Sequence, residues 1–285
     1  MVCAPQDVII VDPEVFERKR RALVQAGRKK LVVIADFDRT VTAAFTPTGD
    51  RVMSCHGMVE SCPELSSAYR EKTKQLFDKY FPIERSATLT AEEKVPYMRE
   101  WYSQNHQALL EESMRHRHLR AAVNSANTVL RKGAAPFLDS AVAAKVPLLL
   151  FSAGIGNVVN MYMRRAWRDP LPPNVHIISN MLKFDDGGAL VGFSEPLIHM
   201  FNKDARHIKD TPFHDEIEGK NVLLLGDSLG DAAMADGTQH LEVLRVGFLS
   251  SQVEELLPLY KAAFDVVLLR DAPFTAVQDL FDAIP

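Results

Sequence analysis

Two short apolar stretches of this chain end in paired carboxylates. Residues 31–35 run into Asp36-Phe37-Asp38-Arg39-Thr40, and residues 222–225 run into Gly226-Asp227-Ser228-Leu229-Gly230-Asp231. Each alone reads equally well as a polar turn with a helix cap. Carboxylates buried without partners cost several kcal/mol or shift their pKa, so two such pairs point to one site. Carboxylates converging on one sheet edge repel each other unless a hard cation lies among them, and such an oxygen set suits Mg²⁺. Two glycines in the second loop allow close backbone approach. Phe151-Ser152-Ala153-Gly154-Ile155-Gly156 places a hydroxyl and several backbone N–H groups ahead of a helix, a natural anion site. Phe201-Asn202-Lys203 adds a lysine shortly before the second aspartate loop. A glycine turn and a solvated lysine are the plainer readings of these two when taken singly. Together with the cation they suit a phosphate.

Periodicity indicates the elements that would hold these loops. Asp12, Pro13 and Gly27 suit the cap, first turn and end of a first helix. Residues 46–133 are rich in charge, and their apolar residues recur at helical spacing: Leu65, Tyr69, Leu76, Tyr80; then Tyr97, Trp101, Leu109; then Leu119, Val123, Leu130. Thr90 with Glu93 forms a capping box, and Gly133 suits the end of the last helix. Beyond it, strands at 147–151, 175–179, 222–225, 243–246 and 266–269 alternate with helices at 157–167, 251–260 and 273–283; a hairpin joins 181–184 to 189–193. This α/β pattern implies a parallel sheet covered on both faces, whose ligands sit beyond the carboxyl ends of the strands. The domains expected are a Rossmann-like core of residues 1–45 and 134–285, and a helical cap of 46–133.

Composition narrows the class. The 285 residues are 47% hydrophobic and 25% charged, with a net charge of −4. That balance disfavours a broad nucleic-acid surface, which needs clustered Lys and Arg, but not a small anionic substrate. No apolar run approaches the ~20 residues of a membrane span, and no secretory signal is read at the N-terminus. Three cysteines, Cys3, Cys55 and Cys62, suggest reduced thiols in a cytoplasmic protein. With His56 they make only a weak metal cluster. A monomer acting on a small molecule is expected.

In order, ADFDRT, YFPIE, EEKVPYMREWY, FSAGIG, LIHMFNK and GDSLGDAAMADG resemble the eukaryotic cytosolic 5′-nucleotidase III family of the haloacid dehalogenase superfamily. The resemblance runs from about residue 28 to the C-terminus. It implies that Asp36 is the nucleophile and that Asp38 is the general acid and base. Mg²⁺ would lie on Asp36, the Asp38 carbonyl and Asp227. Ser152, the Ala153 N–H and Lys203 would hold the phosphoryl oxygens, with Thr40 supporting and Asp231 orienting Lys203 or a metal-bound water. Glu84 and Asn105 match the family's base-site positions. Arg39 departs from the family's methionine, and its side chain is expected to point away from the metal. Ser103-Gln104-Asn105 departs from the usual cap sequence.

The family includes pyrimidine and 7-methylguanosine-phosphate nucleotidases. A cationic methylated guanine gains from an aromatic sandwich. Trp101 and Tyr102 are adjacent on a helix, so one of them would need Phe45 or Tyr69 opposite. Tyr97 and Trp101, four apart, read more readily as core than as a base stack. CMP and UMP are therefore favoured, with 7-methyl-GMP the alternative. A nucleoside phosphotransferase would use the same residues. An inactive nucleotide-binding module would lack Asp36 or Asp38, and both are present.

Overall fold

Side-chain alternation along the strands builds the molecule. In the computed structural model, which describes residues 7–86 and 88–285, Leu31, Val33 and Ala35 of β2 (Leu31–Ala35) enter one apolar cluster, while Val32 and Ile34 enter another. A strand buried on both sides must sit mid-sheet, and β2 does. The seven-stranded sheet has the order β1-β9-β8-β7-β2-β3-β4. Its members are β1 (Val8–Ile10), β3 (Leu148–Ile155), β4 (Val175–Asn180), β7 (Asn221–Gly226), β8 (Val243–Leu249) and β9 (Val266–Leu269). All neighbours are parallel except β1, which runs antiparallel to β9. One face is covered by α1 (Pro13–Ala26), α6 (Ala134–Ala143), α7 (Gly156–Ala166) and α11 (Thr275–Asp282). The other is covered by α8 (Ala205–Ile208), α9 (Pro212–Ile217) and α10 (Val253–Ala263).

Asp12 caps α1 by accepting from the Glu14 and Val15 N–H groups, and Gly27 closes it at φ 71°. Between β2 and β3 lie α2 (Cys55–Glu60), α3 (Ser67–Glu84), α4 (Ala91–Glu111) and α5 (His116–Ser125). The Thr90–Glu93 capping box opens α4. Two expectations are corrected. Gly133 does not end a helix; at φ 84° it precedes α6, an element the sequence reading missed. The helix expected to reach Leu130 stops at Ser125. Beyond it, Ala43 N–H donates to the Val129 carbonyl and Leu130 bridges Thr42, so the chain is spent on bonds to the aspartate loop. The expected hairpin is present as β5 (Leu182–Phe184) and β6 (Leu190–Phe193), a two-stranded sheet that packs on the helical insertion. Leu190 N–H donates to the Met114 carbonyl, and Phe193 stacks on His106 at 3.8 Å. Cys3 lies outside the described residues.

Candidate active site

Strand register brings the loops together. Ala35 pairs with Leu150 on one side and with Leu225 on the other, so Asp36, Ser152 and Asp227 emerge at one edge, where the strand order reverses. Asp36 is buried at 6% exposure and Lys203 at 2%. The Lys203 ammonium donates to Asp36 Oδ1 at 2.7 Å and to Asp231 Oδ1 at 2.6 Å. Burial alone would pull the lysine down; Asp231 and Asp36 overcome it and hold Lys203 above its ordinary range. The other oxygen of Asp231 accepts from Ser228 N–H at 2.9 Å, Ser228 Oγ at 2.8 Å and Asp227 N–H at 3.2 Å. Asp231 thus spends both oxygens organising the loop and the lysine. Gly226 is required for this: a Cβ there would lie 2.3 Å from that of Asp231.

Ligand atoms of Asp36, Asp227 and Asp231 lie within 4.8 Å of one another. Two features fit a hard cation there. Asp36 Oδ2 is buried without a hydrogen-bond partner. The Asp227 carboxylate accepts no hydrogen bond from any described residue. Burial drives Asp36 well above the usual carboxylate range against the pull of Lys203, and burial with Asp231 raises Asp227 to about 7. A nearby dication would reverse both shifts. The oxygens left open are Asp36 Oδ2 and the Asp227 carboxylate; Asp231 is in reach but saturated.

Asp38 is fastened from the other side. The Cys55 N–H, in the first turn of α2, reaches Asp38 Oδ1 at 3.0 Å and Oδ2 at 3.1 Å. Burial raises the Asp38 pKa, with Arg39 opposing. Arg39 adopts φ 61°, and its charge also acts on Asp227 and Glu84. Thr40 is fully buried, and its carbonyl accepts from Arg131 Nε at 2.8 Å.

Ser152 and Ala153 lie within β3, which extends past the residues 147–151 expected. Ser152 is buried, and its Oγ accepts from Gly154 N–H at 3.0 Å. A Cβ on Gly154 would meet Cys55 Cβ at 2.7 Å, so this glycine lets α2 approach the strand end. Asn180, which the sequence reading passed over, donates to the Ala153 carbonyl at 2.9 Å and the Ile198 carbonyl at 2.8 Å, and accepts from Ile198 N–H. It ties the Ser152 strand to the segment leading to Lys203. A lone Asn at a strand end gives no sequence signal of this.

Glu84 ends α3. Burial raises its pKa while Arg39, Arg85 and Lys94 oppose. Tyr102 is buried on α4, where burial and the charges of Glu84, Asp38 and Asp36 push its hydroxyl up. Asn105, one turn along, is buried with an unpartnered Oδ1, and no bond joins it to Glu84. Trp101 stacks on Tyr80 at 5.9 Å, while Tyr97 is 43% exposed rather than core. Tyr69 sits among core residues near Glu60 and Glu112, away from the aspartates. Phe45 is tied to Asp271 through its N–H. Cys55 and Cys62 are free, buried thiols, and burial lowers His56 to about 4.

With this geometry, likeness to known proteins is specific. Residues 39–285 match the family model described as pyrimidine 5′-nucleotidase (UMPH-1). The 7-methylguanosine phosphate-specific 5′-nucleotidase A of Xenopus laevis is 38% identical over 96% of this chain and 94% of its own. The crystal structure of cytosolic 5′-nucleotidase IIIB bound to cytidine superposes with a TM-score of 0.87 at 31% identity, covering 99% of this chain and 94% of that one. A haloacid dehalogenase-family hydrolase of Salmonella enterica shares the fold at TM-score 0.56 and 13% identity. The acidic cluster with its buried lysine therefore sits in a nucleotide phosphatase, and the chain belongs to the pyrimidine 5′-nucleotidase family, with the fold of a haloacid dehalogenase-family hydrolase.

Proposed function

We propose that this enzyme is a Mg²⁺-dependent 5′-nucleotidase that hydrolyses nucleoside 5′-monophosphates through an aspartyl-phosphate on Asp36, with CMP and UMP preferred. The observation that carries the reading is the state of Asp36: one oxygen is clamped by Lys203 and the other is free and buried. Asp36 attacks phosphorus in line, and the bond to the 5′-oxygen breaks. Asp38, raised toward its acid form by burial, gives its proton to that oxygen. The resulting carboxylate then takes a proton from water as the water attacks phosphorus, freeing Asp36 and phosphate. Lys203, the Ser152 hydroxyl and the Ala153 N–H hold the phosphoryl oxygens. Mg²⁺, held by Asp36, Asp227 and the Asp38 carbonyl, supplies neutralising charge when bound.

Residues 46–133, joined by the β5–β6 hairpin, serve as the cap that selects the base. Three cations around Glu84 argue for an uncharged base, because 7-methylguanine carries a positive charge that Arg39, Arg85 and Lys94 would oppose. The second reading, 7-methyl-GMP, is favoured by the names of curated relatives and by the rings of Tyr80, Trp101 and Tyr102. Phosphotransfer to an added nucleoside would use the same groups. We take the enzyme to act as a cytosolic monomer, in line with the cytosolic name of its structural relative. Phosphate release from CMP, UMP, AMP, GMP and 7-methyl-GMP, with Mg²⁺ or chelator and with or without a nucleoside acceptor, tests these points. A kcat/KM for 7-methyl-GMP ten times that for CMP reverses the base preference alone. No Mg²⁺-dependent release from any of the five overturns the function.

A further inference from the structure

Arg131 heads the fully buried side chains by volume, yet it lies outside every motif of the site. Its guanidinium is spent on backbone. Nε donates to the Thr40 carbonyl at 2.8 Å, Nη2 to the Arg39 carbonyl, and Nη1 to the Ala272 carbonyl at 3.0 Å and to Asp271 Oδ1 at 2.6 Å. The group lies 4.4 Å from the centre of the Phe248 ring. Its own N–H donates to the Val41 carbonyl. Asp271, at φ 58° in the turn after β9, accepts in addition from the Ala44 and Phe45 N–H groups at 2.9 and 3.2 Å. Arginine and aspartate together thus fasten residues 39–45 to the end of β9. A planar fork with donors on three sides is what holding two successive carbonyls and a carboxylate requires; a lysine ammonium cannot do it.

We propose that Arg131, with Asp271 behind it, is a positioning residue for catalysis: it fixes the left-handed turn at Arg39 that carries Asp38, and holds the Arg39 and Thr40 carbonyls that follow it. The buried guanidinium also sets positive charge within reach of Asp227. This inference rests on the nucleotidase reading above. Loss of the fork leaves the fold's strand pairings intact but lets the Asp36–Asp38 loop relax, and displacement of about 1 Å in a catalytic constellation costs roughly 100-fold.

The test uses the full chain and whichever monophosphate the wild type hydrolyses best. For Arg131→Lys, kcat per folded enzyme should fall roughly 100-fold, KM for the nucleotide should stay within about twofold, and half-saturating Mg²⁺ should rise. Added guanidinium should restore part of the turnover of Arg131→Ala. A folded Arg131→Lys enzyme with wild-type kcat and wild-type Mg²⁺ requirement overturns the proposal. If the Arg131 variants do not fold, Asp271→Asn decides: it keeps Arg131 but weakens its anchor. It should lower kcat at least about tenfold and raise the Mg²⁺ requirement; wild-type values for both overturn the proposal. Failure of the underlying function shows separately, as a wild type without Mg²⁺-dependent nucleotide hydrolysis.

Discussion

Asp227 and Asp231 are four residues apart in one loop, yet opposite effects on stability are expected when each becomes asparagine. Asp231 has both oxygens engaged by donors: Lys203 on one, Asp227 N–H, Ser228 N–H and Ser228 Oγ on the other. An amide there must turn its NH₂ toward one set of donors whichever way it flips. The variant also removes one of the two carboxylates facing the fully buried ammonium of Lys203. Breaking a buried pair by deleting one partner costs about 3–5 kcal/mol. Asp227 is the reverse case. Its carboxylate accepts nothing from the described residues, and burial with the charge of Asp231 lifts its pKa to about 7. Neutralising it relieves repulsion and sacrifices no hydrogen bond. Metal-free Asp227→Asn should therefore gain on the order of 1–2 kcal/mol at pH 7.5, after discounting the shift for coupling within the cluster. Thermal unfolding in chelator should put Asp231→Asn several degrees below wild type and Asp227→Asn a few degrees above it. Phosphate release should fall about 100–1000-fold in both, and Mg²⁺ should no longer raise the melting temperature of Asp227→Asn. Equal destabilisation by the two substitutions would refute this division of labour between an organiser and a ligand.

Asp36→Asn keeps the shape of the proposed nucleophile and removes its charge; turnover should drop at least about 1000-fold with melting temperature little changed, and undiminished phosphate release would dispose of the assignment. Chelator should abolish activity and Mg²⁺ restore it, while Ca²⁺, with looser coordination, should inhibit; full activity in chelator would contradict the cation site. Metal-free stability should decline as pH rises. Asp227 titrates near 7 when folded against about 3.9 unfolded, so the folded state holds the extra proton and its contribution is lost as pH climbs through 7, at up to about 1.4 kcal/mol per pH unit. A melting temperature in chelator that rises from pH 5 to pH 8 would show that other groups govern. Glu84→Gln should raise KM for CMP severalfold and spare a generic aryl phosphate; equal losses on both would remove Glu84 from base recognition.

The convergence of Asp36, Ser152 and Asp227 was legible because it occurs where chain direction and side-chain type coincide. Asp36, Ser152 and Asp227 each follow a run of apolar residues too short for a helix, and the parallel register of β2, β3 and β7 then brings the three strand ends together. Lys203 could be assigned only through the family motif, since a lysine in a loop is ordinarily solvated; its burial follows from two carboxylates that are distant in sequence. The base-side residues were harder. Glu84 is a helix-terminal glutamate whose environment is set by Arg39, from another element, and by Arg85 and Lys94 across a helix break. Trp101 shows one face of a helix but not what opposes it, and what opposes it is Tyr80.

What escaped the sequence is mostly backbone service. Residues 130–133 read Leu-Arg-Lys-Gly, a charged helix end by any local rule, because nothing local records that carbonyls ninety residues earlier need a donor. Asp271 lies in Leu-Leu-Arg-Asp-Ala-Pro, which reads as a surface turn after a strand. Its carboxylate instead faces Arg131 and two backbone N–H groups of the aspartate loop. Asn180 does the same for the Ser152 strand. Each is a polar side chain whose partners are main-chain atoms, which are the same at every position of the sequence and so leave no residue-type correlation to read. A site of this kind is therefore half written in motifs. The motif residues supply the charges, while the angles at which they meet depend on buried polar residues that local patterns assign to the surface. Those residues should tolerate substitution less than their local sequence suggests, because a main-chain partner left buried and unbonded cannot be exchanged for another residue.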